Sequence, residues 1–404
     1  MPSKVFFTVG GGGSNISANT FFNVCGRLNT NTTEANVELS LIKSGGTLSG
    51  GKVYISANSN AVTTTFDLVI NSTVGNQSIA VTTLATGLFE DADSDTVALN
   101  DEVNWEVTAS AYVNITVEFA TVSFEPTTFH HIFVGQVIGT LCNTAGARFG
   151  MPNGTSIDAD ESKCKLNMKL AGTLEKCRVL VTGNAATNTN TVKSRVNGVD
   201  GGISVSISAS TTGAFLDTSG TDSISVDQDI SFAGSTATDG NVSVNTFSVC
   251  FTPTVANSFI SNCGTAGGAS FGNVTRYEPP GSRVGNGEAT EVNASVKVSQ
   301  AYTVSKLQTY VSANTGGDAG TIDLRLDTGG GPSSSALTMS ITAAATGWFE
   351  DASNSVSVSA TNTISYRVVG PTSGSFTLTT IAANYVNPAT AAPTISNLML
   401  MGVG

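Results

Sequence analysis

Short runs of alternating apolar and polar residues fill the chain almost from end to end. Val37-Glu38-Leu39-Ser40-Leu41, Val53-Tyr54-Ile55, Phe66-Asp67-Leu68-Val69-Ile70, Ser78-Ile79-Ala80-Val81, Val103-Asn104-Trp105-Glu106-Val107 and Ile115-Thr116-Val117-Glu118-Phe119 are separated by Asn, Ser and Gly turns. A period of two is the mark of a half-buried strand. No segment holds the 3.6-residue period for the roughly twelve residues a helix needs. The pattern predicts an all-β fold of antiparallel sandwiches. About eight short strands between successive repeats point to a jelly-roll-like topology.

One stretch is written three times. Ala85-Thr86-Gly87-Leu88-Phe89-Glu90-Asp91 returns as Thr212-Gly213-Ala214-Phe215-Leu216-Asp217 and as Thr346-Gly347-Trp348-Phe349-Glu350-Asp351. One inserted residue in the second and third copies restores the alignment of the following apolar positions, Val103, Ile230 and Ile364. Upstream, Val53-Tyr54-Ile55-Ser56-Ala57-Asn58 matches Val179-Leu180-Val181-Thr182-Gly183-Asn184 and Thr309-Tyr310-Val311-Ser312-Ala313-Asn314. Each copy closes on a strand-like run and a proline, at Pro126, Pro253 and Pro388. The spacing is that of an ordinary domain rather than of a short solenoid repeat. The expected organisation is three tandem sandwiches of one type over residues 1–126, 132–253 and 261–388, with linkers at 127–131 and 254–260. The apolar tail 389–404 is expected to dock as a strand on a neighbouring unit or chain.

Composition narrows the function. The 404 residues are 40% hydrophobic, enough for a core in each repeat, but only 12% charged, about half the usual share. Hydroxyl and amide groups must therefore cover the surface. A net charge of -12 without a Lys/Arg cluster argues against nucleic acid as a partner. No run of about twenty apolar residues exists, so no membrane insertion is expected. Met1 to Phe7 gives way to Gly10 to Gly13, too short for the apolar core of a secretory signal, which predicts synthesis in a host cytoplasm.

The glycine of the repeated motif, Gly87, Gly213 or Gly347, is expected at a turn needing positive φ or close backbone approach. Phe89, Phe215 and Phe349 should then plug the cores, with Asp91, Asp217 and Asp351 accepting turn amides. The competing reading is calcium. Asp91, Asp93 and Asp95 place carboxylates at alternate positions, with Glu90 and Asp101 near, and calcium takes six to eight oxygen ligands. The other copies lack such a set, so no cofactor is expected beyond calcium in the first.

The six cysteines contain no Cys-x-x-Cys pair. They read as buried thiols, or as one bridge between Cys164 and Cys177. Lys163-Cys164-Lys165-Leu166-Asn167-Met168-Lys169-Leu170 reads as a strand with a basic face. Insertions around Tyr277 to Gly281 and Gly329 to Pro332 are where contacts specific to the third repeat are expected. His130 and His131, the only histidines, are adjacent in a linker and leave a Ser-His-Asp machine without a placed base. An enzyme is not expected; a carboxylate-pair glycoside hydrolase stays as a distant alternative.

The Thr-Gly-x-Phe-x-Asp turn, the Asp-x-Val/Ile continuation at Asp95 and Asp222, and the closing strand before each proline resemble jelly-roll modules of tailed-phage virions. The likeness is to capsid decorations, spikes and fibres, and covers nearly the whole chain. It implies a virion structural protein on the particle exterior, a decoration or spike that stabilises the particle or touches the host. Implied partners are other virion proteins such as the major capsid protein, with self-association as a trimer or pseudo-threefold and a possible host glycan. A tail fibre, or a cell-surface adhesin or carbohydrate-binding module, is the alternative.

Overall fold

The computed structural model describes residues 4–388 except 17, 25–29, 37–38, 41–42, 111–113, 236–239 and 286. The tail 389–404, expected to dock, and Cys25 lie outside the described residues.

The first stretch contains β1 (Val5–Ile16), β2 (Thr20–Phe22), β3 (Leu39–Ser40), β4 (Gly46–Asn58), β5 (Thr64–Ile70), β6 (Thr73–Val81), β7 (Gly87–Val97), β8 (Glu102–Ala109) and β9 (Ile115–Pro126). The second contains β10 (His131–Asn143), β11 (Gly146–Gly150), β12 (Ile157–Asp158), β13 (Leu166–Met168), β14 (Gly172–Asn184), β15 (Asn190–Val196), β16 (Val199–Ile207), β17 (Gly213–Ile224), β18 (Gln228–Gly234) and β19 (Val242–Pro253). The third contains β20 (Ser258–Phe271), β21 (Thr275–Glu278), β22 (Val296–Lys297), β23 (Tyr302–Asn314), β24 (Gly320–Asp327), β25 (Ser333–Ile341), β26 (Gly347–Val358), β27 (Thr363–Val369) and β28 (Phe376–Val386). Among the described residues the only helical turns are short 3-10 pieces, Glu34–Asn36, Glu161–Cys164 and Glu291–Ala294.

Pairing follows one plan. In the first stretch the sheet β1-β9-β4-β7 faces β2-β8-β5-β6, and in the third β20-β28-β23-β26 faces β21-β27-β24-β25. The second repeats the order as β10-β19-β14-β17 and β11-β18-β15-β16, joined into one continuous sheet where Cys142 pairs with Ala147. This is an antiparallel jelly-roll arrangement of all-β sandwiches. Among the described residues every ladder lies within its own stretch, with one isolated parallel bridge, Gly154 to Gly264, between the second and third; the pairing begins at His131 and Ser258, inside the segments read as linkers.

The reason for each strand can be read from its burial. β6, β16 and β25 share one alternating pattern, outward residues exposed and Ile79, Val205 or Met339 turned inward. In the first sandwich Phe22, Phe66 and Trp105 fill the space between the sheets, with Phe22 stacked on Trp105 at 6.4 Å. β9, β19 and β28 differ: nearly all their residues are buried on both faces. One face covers its own sandwich, and the other meets a neighbouring stretch. The core is accordingly continuous, since Ile132, Val134 and Cys250 join the cluster shared by the first and third stretches.

Two expectations fail locally. Lys163 to Leu170 is not one strand: Glu161–Cys164 forms a 3-10 turn, because Asp160 accepts from the amide of Ser162, and only Leu166–Met168 pairs, with β18. Its lysines make no free basic face, as Lys163, Lys165 and Lys169 each meet an aspartate, Asp158, Asp229 and Asp227. The proposed Cys164–Cys177 bridge does not form; both thiols are free, one packed with Met151 and Ala266 and the other in the second sandwich core.

Candidate functional site

The repeated aspartate is a structural cross-link. Asp91 accepts the amides of Ser78 at 2.6 Å and of Asp93 at 2.9 Å. Asp217 accepts those of Ser204 at 2.7 Å and Ser219 at 3.0 Å, and Asp351 those of Thr338 at 2.9 Å and Ser353 at 3.3 Å. In each case one bond closes a local turn and the other joins β7, β17 or β26 to the adjacent edge strand of the facing sheet. Bonds of this kind from backbone amides to a carboxylate are shorter and stronger than neutral ones. Although burial opposes ionisation, the bonds from Ser204, Gly220 and Ser219 hold Asp217 below the usual carboxylate range, and similar bonds from Asn354 and Thr338 do so for Asp351.

The same geometry disposes of the calcium reading. Asp95 is buried and spends its oxygens on the amides of Asn76 and Gln77 at 2.6 and 3.2 Å, while Asp93 points into solvent. The three carboxylates do not converge, and among the described residues no group of three His, Cys, Asp or Glu side chains is placed to hold a metal ion. The oxygens of Asp91 and Asp95 are already occupied by backbone amides and Asp93 stands apart in solvent, so the residues do not fit a calcium ion.

The inserted residue of the later copies has a place. Between Ser49 and Gly51 the β4–β7 ladder bulges around Gly50, and the β14–β17 and β23–β26 ladders bulge around Lys176 and Lys306. All three residues adopt left-handed φ, 64°, 56° and 56°. The bulged partner strand carries two residues, Ala92 and Asp93, in the first copy and three in each of the others. The motif glycines also sit at positive φ, 111°, 109° and 105°, with open space where a Cβ would stand, so backbone conformation rather than close approach selects them. Phe89, Phe215 and Phe349 are only half-buried and pack on the rim of the cores rather than inside them.

Contacts between the stretches run in a cycle through equivalent positions. Lys52, Arg178 and Gln308 are each the seventh residue of β4, β14 and β23. Lys52 Nζ donates to the carbonyl of Lys297, in the third stretch, at 2.9 Å. Gln308 Nε2 donates to the carbonyl of Asn167, in the second, at 2.7 Å. Arg178 donates to Glu102, in the first, at 2.5 Å. A second set repeats the direction: Ser123 to Ser299 at 2.6 Å and Asn384 Nδ2 to the carbonyl of Lys169 at 3.0 Å. Buried Asn153 and Asn262, at 2.9 Å, add to the second-to-third seam. Burial pushes the Lys52 amine down to about 8, with Glu90 pulling the other way.

At the meeting point lie aromatic rings from all three stretches. Phe6 packs edge-on to Phe259 at 5.4 Å and to Tyr385 at 5.5 Å, and Phe259 stacks on Tyr385 at 5.2 Å. His131 lies between Phe133 at 4.7 Å and Phe259 at 5.7 Å, and among the described residues neither of its ring nitrogens has a hydrogen-bond partner. Burial pushes its imidazole down to about 3, and that of His130 down to about 4. Both histidines are thus neutral, buried and out of reach of any substrate. Glu278, fully buried beside the seam loop Pro279 to Gly281, accepts from the amide of Gly285 at 3.0 Å, and burial pushes it up to about 8. That loop, expected to make contacts specific to the third repeat, approaches Thr8 of the first stretch. The other one, at Pro332, lines a cavity of about 170 Å³ with Tyr54 and Leu88.

A further repeated device escaped the sequence reading. Glu161 and Glu291, each opening a 3-10 turn, hold Arg195 and Arg325 at 2.9 and 3.0 Å and accept from Ser231 and Ser365. In the first stretch Glu34 accepts from Asn104, the counterpart of those serines. The signal was present as Thr33-Glu34-Ala35-Asn36 against Thr290-Glu291-Val292-Asn293. Compared with known proteins, the chain matches no family model, and no curated protein matches it in sequence.

Proposed function

We propose that this chain is a non-catalytic structural protein of a virion exterior, a decoration or spike seated on the capsid with the major capsid protein as its partner. The observation that carries the reading is the cycle of equivalent contacts. Three sandwiches meeting head to tail around buried aromatic rings offer, within one polypeptide, the repeated surface that a trimer offers. Such a surface suits a seat of threefold or pseudo-threefold symmetry on a shell. A surface covered by hydroxyl and amide groups, with few Lys and Arg for proteases to cut, fits prolonged exposure. Residence on a particle also gives a role to a chain whose histidines are both buried at its centre.

The test is immunogold labelling of purified particles from the source with antibody to the folded chain, together with stoichiometry by quantitative mass spectrometry. The reading expects surface label and a copy number fixed relative to the capsid protein. Recovery of the protein only in the particle-free fraction would overturn it.

A further inference from the structure

One outward face departs from the other two at a single register position. In the ladders β5–β8, β15–β18 and β24–β27 the paired residues at this position are Asp67 with Glu106, Lys193 with Ala233, and Asp323 with Arg367. An aromatic residue on the next strand completes each row: Phe21, Phe149 and Tyr277. In the third stretch Arg367 lies across the row and binds Asp323 at 2.8 Å. In the second, Ala233 leaves that space open. The result is a depression of about 220 Å³ floored by Ala147, Ala233 and Gly234 and walled by Phe149, Lys193 and Arg195.

We infer that this depression is a binding site for one neutral pyranose ring, the terminal sugar of a glycan. Its size lies below the roughly 300–1,000 Å³ of sites for drug-sized ligands, so it admits a single ring. Its charges are internally matched, which selects against an ion. Arg195 is held by Glu161 and bonds Asp200, and Lys193 reaches Asp200 at 3.0 Å. An anion would have to compete with those carboxylates on a chain of net charge -12. A polyol competes with nothing: vicinal hydroxyls can donate to the half-exposed Asp200 carboxylate and accept from the remaining N–H groups of Lys193. The guanidinium of Arg195, held 5.6 Å from the centre of the Phe149 ring, fixes one wall, and Phe149 with Ala147 and Ala233 supplies apolar surface for the C–H groups of a sugar. The site stands independently of where the protein resides, so its failure would leave the particle assignment untouched.

The third stretch supplies the control. The double variant Lys193→Asp/Ala233→Arg writes the Asp323–Arg367 pair into the second sandwich and fills the depression with a pair already accommodated by this fold. Saturation-transfer NMR on the full chain would use the methyl glycosides of glucose, galactose, mannose and N-acetylglucosamine as probes. With so few contacts, a dissociation constant on the order of millimolar is expected. The inference expects transfer to at least one glycoside and at least a tenfold weakening in the double variant, with an unchanged melting temperature. If that variant fails to fold, Lys193→Ala, which removes a half-exposed side chain and its bond to Asp200, must produce a clear weakening instead. No transfer to any probe, transfer unchanged by the substitutions, or a signal displaced by inorganic sulfate would overturn it.

Discussion

Replacing His131 by phenylalanine should change how the protein responds to acid, and by an amount the structure sets. In the fold both histidines are held neutral, His130 at about 4 and His131 at about 3, against an ordinary value of 6.5. Between pH 6.5 and about 4 the unfolded chain therefore binds more protons than the folded one. The stability of the neutral form is fully present above 6.5 and is lost as pH falls. At pH 5 each histidine has lost about 1.5 units at about 1.36 kcal/mol per unit, close to 2 kcal/mol. Glu278 works in the opposite sense. Its carboxyl is raised to about 8, so the fold gains stability as pH falls from 8 toward 4.5, and the two effects nearly cancel in the wild type. A comparison of pH 8 with pH 5 alone would hide both. The difference between wild type and His131→Phe isolates one: the variant should lose about 2 kcal/mol less on going from pH 8 to pH 5. For a chain of this length that is a differential shift of about 2–3 °C in calorimetric melting temperature. At pH 8 the variant should itself be more stable by about 1–3 kcal/mol, because phenylalanine removes two unpartnered ring nitrogens from an aromatic site. Melting temperatures that change by the same amount in the two proteins between pH 8 and pH 5 would refute the reasoning.

Alanine at Gly87, Gly213 or Gly347 should cost about 1–3 kcal/mol each, entirely through φ because the added methyl meets open space; equal chemical-denaturation midpoints for variant and wild type would contradict this. Lys176→Gly should stabilise by about 1 kcal/mol, since its left-handed φ of 56° penalises any side chain, and thermal melting reads the gain. Arg178→Met should destabilise by about 1–3 kcal/mol, discounted from a fully buried pair because Glu102 is 35% exposed; limited proteolysis should then cut between the first and second stretches sooner. In the native protein no more than one thiol should react with a chromogenic disulfide, since Cys142, Cys164, Cys177, Cys250 and Cys263 are all buried and burial raises their pKa. Unfolding should release the rest.

The sheets were legible because strand alternation is local. Ile79 and Val81 point inward for reasons visible within β6 alone. The role of Asp91, Asp217 and Asp351 was legible for a similar reason, as an Asx turn needs only the following two residues. What the alternation could not disclose is burial of its polar side. Ser123 and Asn384 are polar and buried because they bond to Ser299 and Lys169 of other stretches, and that covering depends on residues far away in sequence. The half-burial of Phe89 was missed because a motif beside a turn looks like a core plug when the position of the sheet edge is unknown. The calcium reading failed on the same ground: Asp95 faces the amides of Asn76 and Gln77 on another strand, and one-dimensional spacing does not place them.

The head-to-tail seams carry Lys52, Arg178 and Gln308 at one and the same position. In a homotrimer a single codon would write that position everywhere, so any substitution would arrive in triplicate together with its penalty. Here each joint can be retuned alone. Covalent concatenation thus frees the ring from self-identity, and lets one shoulder specialise while the remaining two keep the assembly shut.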